Sequence, residues 1–124
     1  MLEILVCSDE EKSRKLFLKN KIEYNSASFA VCAVSGEDCI GYCLFRIEKR
    51  TQTVLYIEPV QDLMLADGLL RSALHVGCER EITEAFYGER ISSGFLKRIN
   101  FLENESEKRL KLQNLFSDCC CGKA

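Results

Sequence analysis

Residues 54–85, VLYIEPVQDLMLADGLLRSALHVGCEREITEA, carry the clearest structural pattern in the chain. The stretch opens on Val54, Leu55, Tyr56 and Ile57, β-branched or aromatic apart from Leu55, a composition that fits a strand packed on at least one face. Pro59 has no backbone donor and fixes φ, so the ladder is expected to stop beside it. From Leu69 the apolar period changes. Leu70, Ala73, Leu74, Gly77 and Cys78 fall at helical spacing, as do Leu69, Ala73 and Val76. Glu79, Arg80 and Glu81 then lead into a second strand over residues 82–87. A strand–loop–helix–strand unit of this length suits a right-handed βαβ crossover. Residues 61–68 therefore sit where a helix opens at the carboxyl end of a strand. Unpaired amides and the helix dipole favour an anion such as phosphate there.

Outward from this unit, composition narrows the class. The chain has 124 residues, 47% hydrophobic and 29% charged, with a net charge of −2. That length and balance imply one domain with a modest core. Acids and bases are interspersed, which argues against nucleic acid or an anionic membrane as the main partner. No apolar run is long enough to span a bilayer, and residues 1–20 lack the basic start and apolar stretch of a signal peptide. The expectation is a cytoplasmic protein. Of the eight cysteines, Cys7, Cys32, Cys39, Cys43 and Cys78 lie in or beside apolar stretches, where a free thiol behaves as a small hydrophobe. Cys119, Cys120 and Cys121 fall in residues 117–124, read as a loose tail with surface thiols. There is no C-x-x-C pair, and three adjacent thiolates do not converge on one tetrahedral ion, so no metal site is expected.

Taken in order, residues 2–7 (LEILVC) read as a first strand at a sheet edge. Ser8 and Glu11 fit a capping box, followed by a helix over residues 9–20 with Leu16 and Phe17 facing the core. Residues 29–34 and 40–47 form a hairpin about residues 35–38. Tyr42, Leu44 and Arg46 point one way and Cys43, Phe45 and Ile47 the other. A charged turn over residues 48–51 leads to the strand 52–58. After Gly88, residues 89–99 read as a helix with Ile91, Phe95, Leu96 and Ile99 on one face. A last strand is expected over residues 108–113. His75, the only histidine, lies on the partly exposed side of its helix. Ser92 and Ser93 lack the setting of a nucleophile elbow.

The run QDLMLADGLLRSALHVGCEREI resembles the acetyl-CoA-binding segment of the GCN5-related N-acetyltransferase (GNAT) superfamily. That family's pyrophosphate loop is Q/R-x-x-G-x-G/A, followed by a helix rich in leucine and alanine. Gln61 matches the first position and Ala66 the last, while Met64 stands where the family has its central Gly. The linker before Gln61 is one residue shorter than usual. Asn100-Phe101 resembles the family's Gly-Phe, which puts Leu96 at the position of its acid tyrosine. The resemblance implies an α/β fold of the acyl-CoA N-acyltransferase type, with a central, mostly antiparallel sheet flanked by helices. It covers most of the chain in element order, with specific matches confined to residues 54–82.

It also implies a chemistry. Acetyl transfer needs a neutral amine, a polarised thioester carbonyl and a protonated leaving thiolate. Acetyl-CoA would be held by Tyr56, Ile57, Gln61, Asp62, Leu63, Met64, Leu65, Ala66, Asp67 and Gly68. Of these, Tyr56 is expected in the core, Asp67 as a helix N-cap and Gly68 at a close backbone approach. Glu58, the carboxylate at the strand end, is the candidate base, and Tyr87 the stand-in acid. The acceptor would be a small-molecule or peptide amine. The alternative is a module of the same fold that has lost catalysis and binds a metabolite or protein partner. A sheet edge could also serve a homodimer.

Overall fold

The computed structural model describes residues 2–112. Its elements run β1 (Leu2–Val6), α1 (Glu10–Lys19), β2 (Ser28–Ser35), β3 (Asp38–Glu48), β4 (Thr51–Glu58), α2 (Leu63–Glu79), β5 (Glu84–Tyr87), α3 (Ser93–Arg98), β6 (Leu102–Asn104) and β7 (Arg109–Leu110). Gln113 and the cysteine-bearing tail fall outside the described residues.

The seven strands form one sheet in the order β1-β2-β3-β4-β5-β7-β6. Every pairing is antiparallel except β4–β5, the two strands that α2 connects. The expected mixed sheet with its βαβ unit is present, and β1 is the expected edge. Two-residue loops set the register of the central strands. Ser35 pairs with Asp38 across a loop begun by Gly36 at φ 65°, and Glu48 pairs with Thr51 across a loop begun by Lys49 at φ 58°.

Apolar side chains on opposite pleats divide the core in two. Val31, Ala33, Cys43, Phe45, Val54 and Ile57 meet the apolar stripe of α2 and Phe95 and Leu96 of α3. On the other face Ala30, Cys32, Tyr42 and Leu44 meet Phe17 of α1. The expected alternation along β3 is observed. Among the described cysteines Cys7, Cys32, Cys39 and Cys43 are free thiols. Cys78 is disulfide-bonded, a correction to the expectation of a free thiol there.

Several boundaries differ from expectation. Helix α1 is capped by Asp9, not Ser8; the Asp9 carboxylate accepts from the amides of Glu11 and Lys12. Helix α2 starts at Leu63, six residues before the expected Leu69, because Asp62 caps it. Asp67 is accordingly not an N-cap but lies in the second turn, 3.6 Å from Arg71 one turn on. Helix α3 is shorter than residues 89–99, since Ser92 accepts from the amides of Gly94 and Phe95 and sets its start. Strand β5 begins at Glu84 because Ile82 closes α2, its amide donating to the Gly77 carbonyl at 3.1 Å. Strand β6 was not foreseen, and β7 keeps only Arg109–Leu110 of the expected last strand.

Candidate functional site

The site follows from how β4 leaves its neighbours. It pairs with β5 only from Thr51–Glu84 to Val54–Tyr87, and the Gly88 amide closes the pairing on the Val54 carbonyl at 2.8 Å. Residues 55–58 run on without a β5 partner, so the sheet splits there. On the β3 side pairing continues to Tyr42–Glu58, but the register shifts: Phe45 faces Val54 and Leu44 faces Tyr56, leaving Leu55 as a bulge. A bulge re-aims the residues around it. Leu55 and Tyr56 both join the α1-side cluster, and Ile57 returns to the α2 side.

At the end of this strand the Glu58 carboxylate accepts two hydroxyl hydrogen bonds, from Tyr56 at 2.9 Å and from Tyr42 at 3.3 Å. The Asn20 amide nitrogen, at the C-cap of α1, donates to the Tyr42 hydroxyl at 3.0 Å and to the Leu16 carbonyl at 2.9 Å. The two tyrosine rings lie 6.0 Å apart, and the Lys19 ammonium stands 5.9 Å from the Tyr42 ring centre. Burial pushes both phenols above their ordinary value, and the neighbouring Glu58 charge adds to the rise. For Tyr42 the Asn20 hydrogen bond opposes it; for Tyr56 the Arg90 charge does. Both hydroxyls therefore stay protonated at neutral pH and can donate to the carboxylate. Gly41 makes the close crossing possible. A Cβ at Gly41 would stand 2.9 Å from the Glu58 carbonyl oxygen and 3.0 Å from the Pro59 ring.

The coenzyme segment is arranged differently from the loop that the sequence suggests. Only residues 59–62 connect β4 to α2. The Asp62 carboxylate accepts from the Leu65 amide at 3.1 Å, and the Ala66 amide donates to the Asp62 carbonyl at 2.9 Å. The helix N-terminus thus already carries an anion of its own. Met64 is 87% exposed. Leu65 and Ala66 are buried in the α2-side core. Gln61 and Asp62 are exposed, and Leu63 is half-buried. Gly68 does provide a close approach, but to β1: a Cβ there would stand 2.9 Å from Ile4. Beside these residues a cleft of about 390 Å³ is lined by Leu63, Met64, Asp67, Arg71, Arg98, Ile99 and Asn100. Arg71 lies 5.2 Å over the Phe101 ring, and the Lys111 ammonium donates to Asn100 at 2.9 Å.

The predicted residues are therefore partly gathered. Tyr56, Ile57 and Glu58 share the free end of β4, and Leu63, Met64 and Asp67 share the cleft. Tyr87 is 5% exposed on the α2 side of the sheet, where burial raises its pKa. Glu58 bonds its tyrosines on the other side. Leu96 is fully buried, and half-buried His75 lies on α2. Among the described residues no group of three His, Cys, Asp or Glu side chains is arranged to hold a metal ion. Asn20, Gly41 and Tyr42 were not foreseen as site residues. The alternation along β3 already placed Tyr42 on the Leu44 face, but not beside Glu58.

Several solved structures superpose on this chain at low sequence identity. A protein assigned as an acetyltransferase from Exiguobacterium sp. superposes with a TM-score of 0.61 at 14% identity, over 95% of this chain and 97% of that one. The IAA acetyltransferase from Bacillus cereus gives 0.58 at 17% identity, over 80% of this chain and 73% of that one. PaiA N-acetyltransferase from Thermoplasma acidophilum, in complex with coenzyme A, gives 0.50 at 13% identity, over 77% of this chain and 63% of its own. The fold is that of the GCN5-related N-acetyltransferases. No family model matches the sequence, and no curated protein does. Among the described residues no helix is long and apolar enough to cross a membrane.

Proposed function

We propose that this chain is an acyl-CoA-dependent N-acyltransferase that passes an acetyl group from acetyl-CoA to a small-molecule or peptide amine in the cytoplasm. The observation that carries the reading is the split of β4 from β5, with Glu58 held by two tyrosine hydroxyls at the free strand end. An amine attacks a thioester only as the neutral base, and Glu58 is the carboxylate placed to take its proton. Backbone amides near Ile57, freed from β5, are the donors for the developing oxyanion. A thiolate leaving group then needs a proton. Tyr56, protonated and 2.9 Å from Glu58, suits that role better than Tyr87, which lies on the other side of the sheet. Glu58 and Tyr56 would so form one acid–base pair. The coenzyme phosphates would lie over the start of α2, with Arg71 and Arg98 of the adjoining cleft supplying positive charge.

A second reading is a non-catalytic module of the same fold that binds a metabolite, a protein partner or a second copy of the chain. Two features favour it: the Asp62 carboxylate on the α2 amides, and a leucine where the family carries its acid tyrosine.

Calorimetric titration of the reduced protein with acetyl-CoA, against free CoA, separates the readings. The enzyme reading expects saturable micromolar binding. Met64→Glu, an exposed change that adds negative charge to the helix N-terminus, should weaken it about tenfold. Glu58→Gln should leave binding unchanged and slow transfer to amines by about 10²–10⁴. No binding at millimolar ligand would favour the module.

A further inference from the structure

Three cysteines from different parts of the sequence converge on the α1 face of the sheet. Strand register sets Leu5 opposite Cys32 and Cys39 opposite Val34. Just beyond β1, the Cys7 amide donates to the Ala30 carbonyl at 2.9 Å. Cys7 and Cys39 thus flank Cys32 diagonally from the two neighbouring strands. The three differ in access: Cys39 is exposed, Cys7 half-buried and Cys32 buried. The Cys39 thiol donates to the Gly41 carbonyl at 3.4 Å and the Cys7 thiol to the Asp9 carbonyl at 3.6 Å. A cleft of about 180 Å³, lined by residues 5–9, Lys12, Cys32 and Val34, reaches the buried thiol from the Cys7 side.

We propose that Cys39 and Cys32 form an oxidant-responsive thiol pair, which hydrogen peroxide converts to a cross-strand disulfide. The exposed thiol reacts first. The Cys39 thiolate attacks one peroxide oxygen, the O–O bond breaks, and with one proton taken up the products are a Cys39 sulfenic acid and water. Cys32 sulfur then attacks the Cys39 sulfur. The S–S bond forms, the S–OH bond breaks, and hydroxide leaves with the Cys32 proton as a second water. Overall two thiols lose two electrons and peroxide gains them. Burial, with smaller contributions from Cys39 and Cys7, pushes the Cys32 thiol up to about 12, so it stays protonated and is shielded from direct attack on peroxide; its place in the second step rests on its position diagonal to Cys39. Diagonal positions lie about 7–8 Å apart, slightly beyond the usual Cα separation of a disulfide, about 4.4–6.8 Å. Cys39 is the second residue of β3, beside the loop that Gly36 begins, where a small backbone shift costs least.

The pair also touches the proposed site. Cys32 faces Tyr42 in register, and Tyr42 donates to Glu58. Gly41, whose carbonyl accepts from Cys39, lies under the Glu58–Pro59 crossing. Closing the bond would draw on the start of β3 and so on the Tyr42–Glu58 contact.

The full chain treated with limiting hydrogen peroxide, alkylated and digested should give a Cys32–Cys39 linked peptide that dithiothreitol reverses. Cys32→Ala should leave the Cys39 sulfenic acid open to dimedone, with labelling at least about tenfold above the unsubstituted protein. Cys39→Ser, a change at an exposed position, should protect Cys32 from oxidation. Equal dimedone labelling of Cys39 in both proteins, no reaction at Cys39, or linkage of Cys39 to any other cysteine would each overturn the proposal. None of these readouts depends on acyl transfer.

Discussion

The two faces of the sheet are built on different terms. On the α2 face, buried side chains from five strands and two helices close over one another, and the helix comes near enough to the sheet that glycine is required where it crosses Gln52 and Ile4. On the α1 face a single helix covers a smaller apolar cluster, bordered by Asn20, Tyr42, Tyr56 and Glu58 and by three thiols. Tolerance to change therefore differs between the faces. The first face has no room and holds the fold. The second carries polar groups whose hydrogen bonds and protons can be rearranged, which is what chemistry requires.

The strongest test of that contrast is Gly77→Ala. A Cβ at Gly77 would stand 2.0 Å from the Gln52 side-chain oxygen and 2.8 Å from Ile82. Gln52 is fully buried, and its amide nitrogen donates to the Ala73 carbonyl at 2.8 Å, so it cannot swing aside without breaking a buried hydrogen bond. Overpacking and that loss together cost about 2–4 kcal/mol, offset by about 1 kcal/mol of helix propensity. Denaturant melts should show a net loss of about 1–3 kcal/mol, partly restored in the double variant with Gln52→Ala. An unchanged midpoint would mean that the α2 face is looser than its packing implies.

Alkaline pH tests both faces at once. Cys43 on the α2 face and Cys32 on the α1 face have thiols raised above the ordinary 9.0, both chiefly by burial. A raised folded value means that the neutral form is favoured in the folded state. The contribution to stability is therefore complete below pH 9, where thiols of the unfolded chain hold their protons. It is lost as pH rises toward the folded value, about 12 for Cys32. Each thiol contributes a slope of at most about 1.4 kcal/mol per pH unit in that window. Unfolding midpoints between pH 8 and 10.5 should fall, and Cys43→Ala and Cys32→Ala should each flatten the fall by a similar amount. Flattening by Cys43→Ala alone would mean that water reaches the α1 face.

How far each face could be read from the sequence follows the same division. The α2 stripe, the alternation of β3 and the hairpin about Gly36 rest on apolar period and a turn glycine, which are local signals. Helix starts were harder. The three helices among the described residues close in the same way, by a hydrogen bond from the amide of Ile22 to the Phe17 carbonyl, of Ile82 to Gly77 and of Phe101 to Leu96, each around a left-handed residue that is not glycine: Lys21, Glu81 and Asn100. Even with no glycine to mark them, the stops of α1 and α3 agree with the expected 20 and 99 to within a residue; the boundaries that moved are the starts of α2 and α3, set by the caps Asp62 and Ser92. Only Asn100 was anticipated, through its likeness to the family's Gly-Phe. At the site, Glu58 was legible as the carboxylate at a strand end, but its partners were not. The two-residue loop after Glu48 would by counting set Tyr42 against Ile57. The bulge at Leu55 moves that partner to Glu58, and nothing in VLYIE announces a bulge.

The smallest expected effect on stability, and the sharpest for function, belongs to Asp62→Ser. Serine is as good an N-cap as aspartate, so α2 should keep its first turn and lose only the charge–dipole contribution, about 0.3–1 kcal/mol. The carboxylate, however, holds the Leu65 amide at the place where a coenzyme phosphate would need one. If the open end of α2 receives the coenzyme, removing that charge should tighten acetyl-CoA binding about fivefold, with a gain that shrinks at high salt. Unchanged affinity would move the phosphates away from the helix start, toward Arg71 and Arg98 in the cleft. Weaker affinity would make Asp62 a contact rather than a competitor. The α2 helix would then serve the two faces unequally, its flank closing the core and its first turn ready to exchange one anion for another.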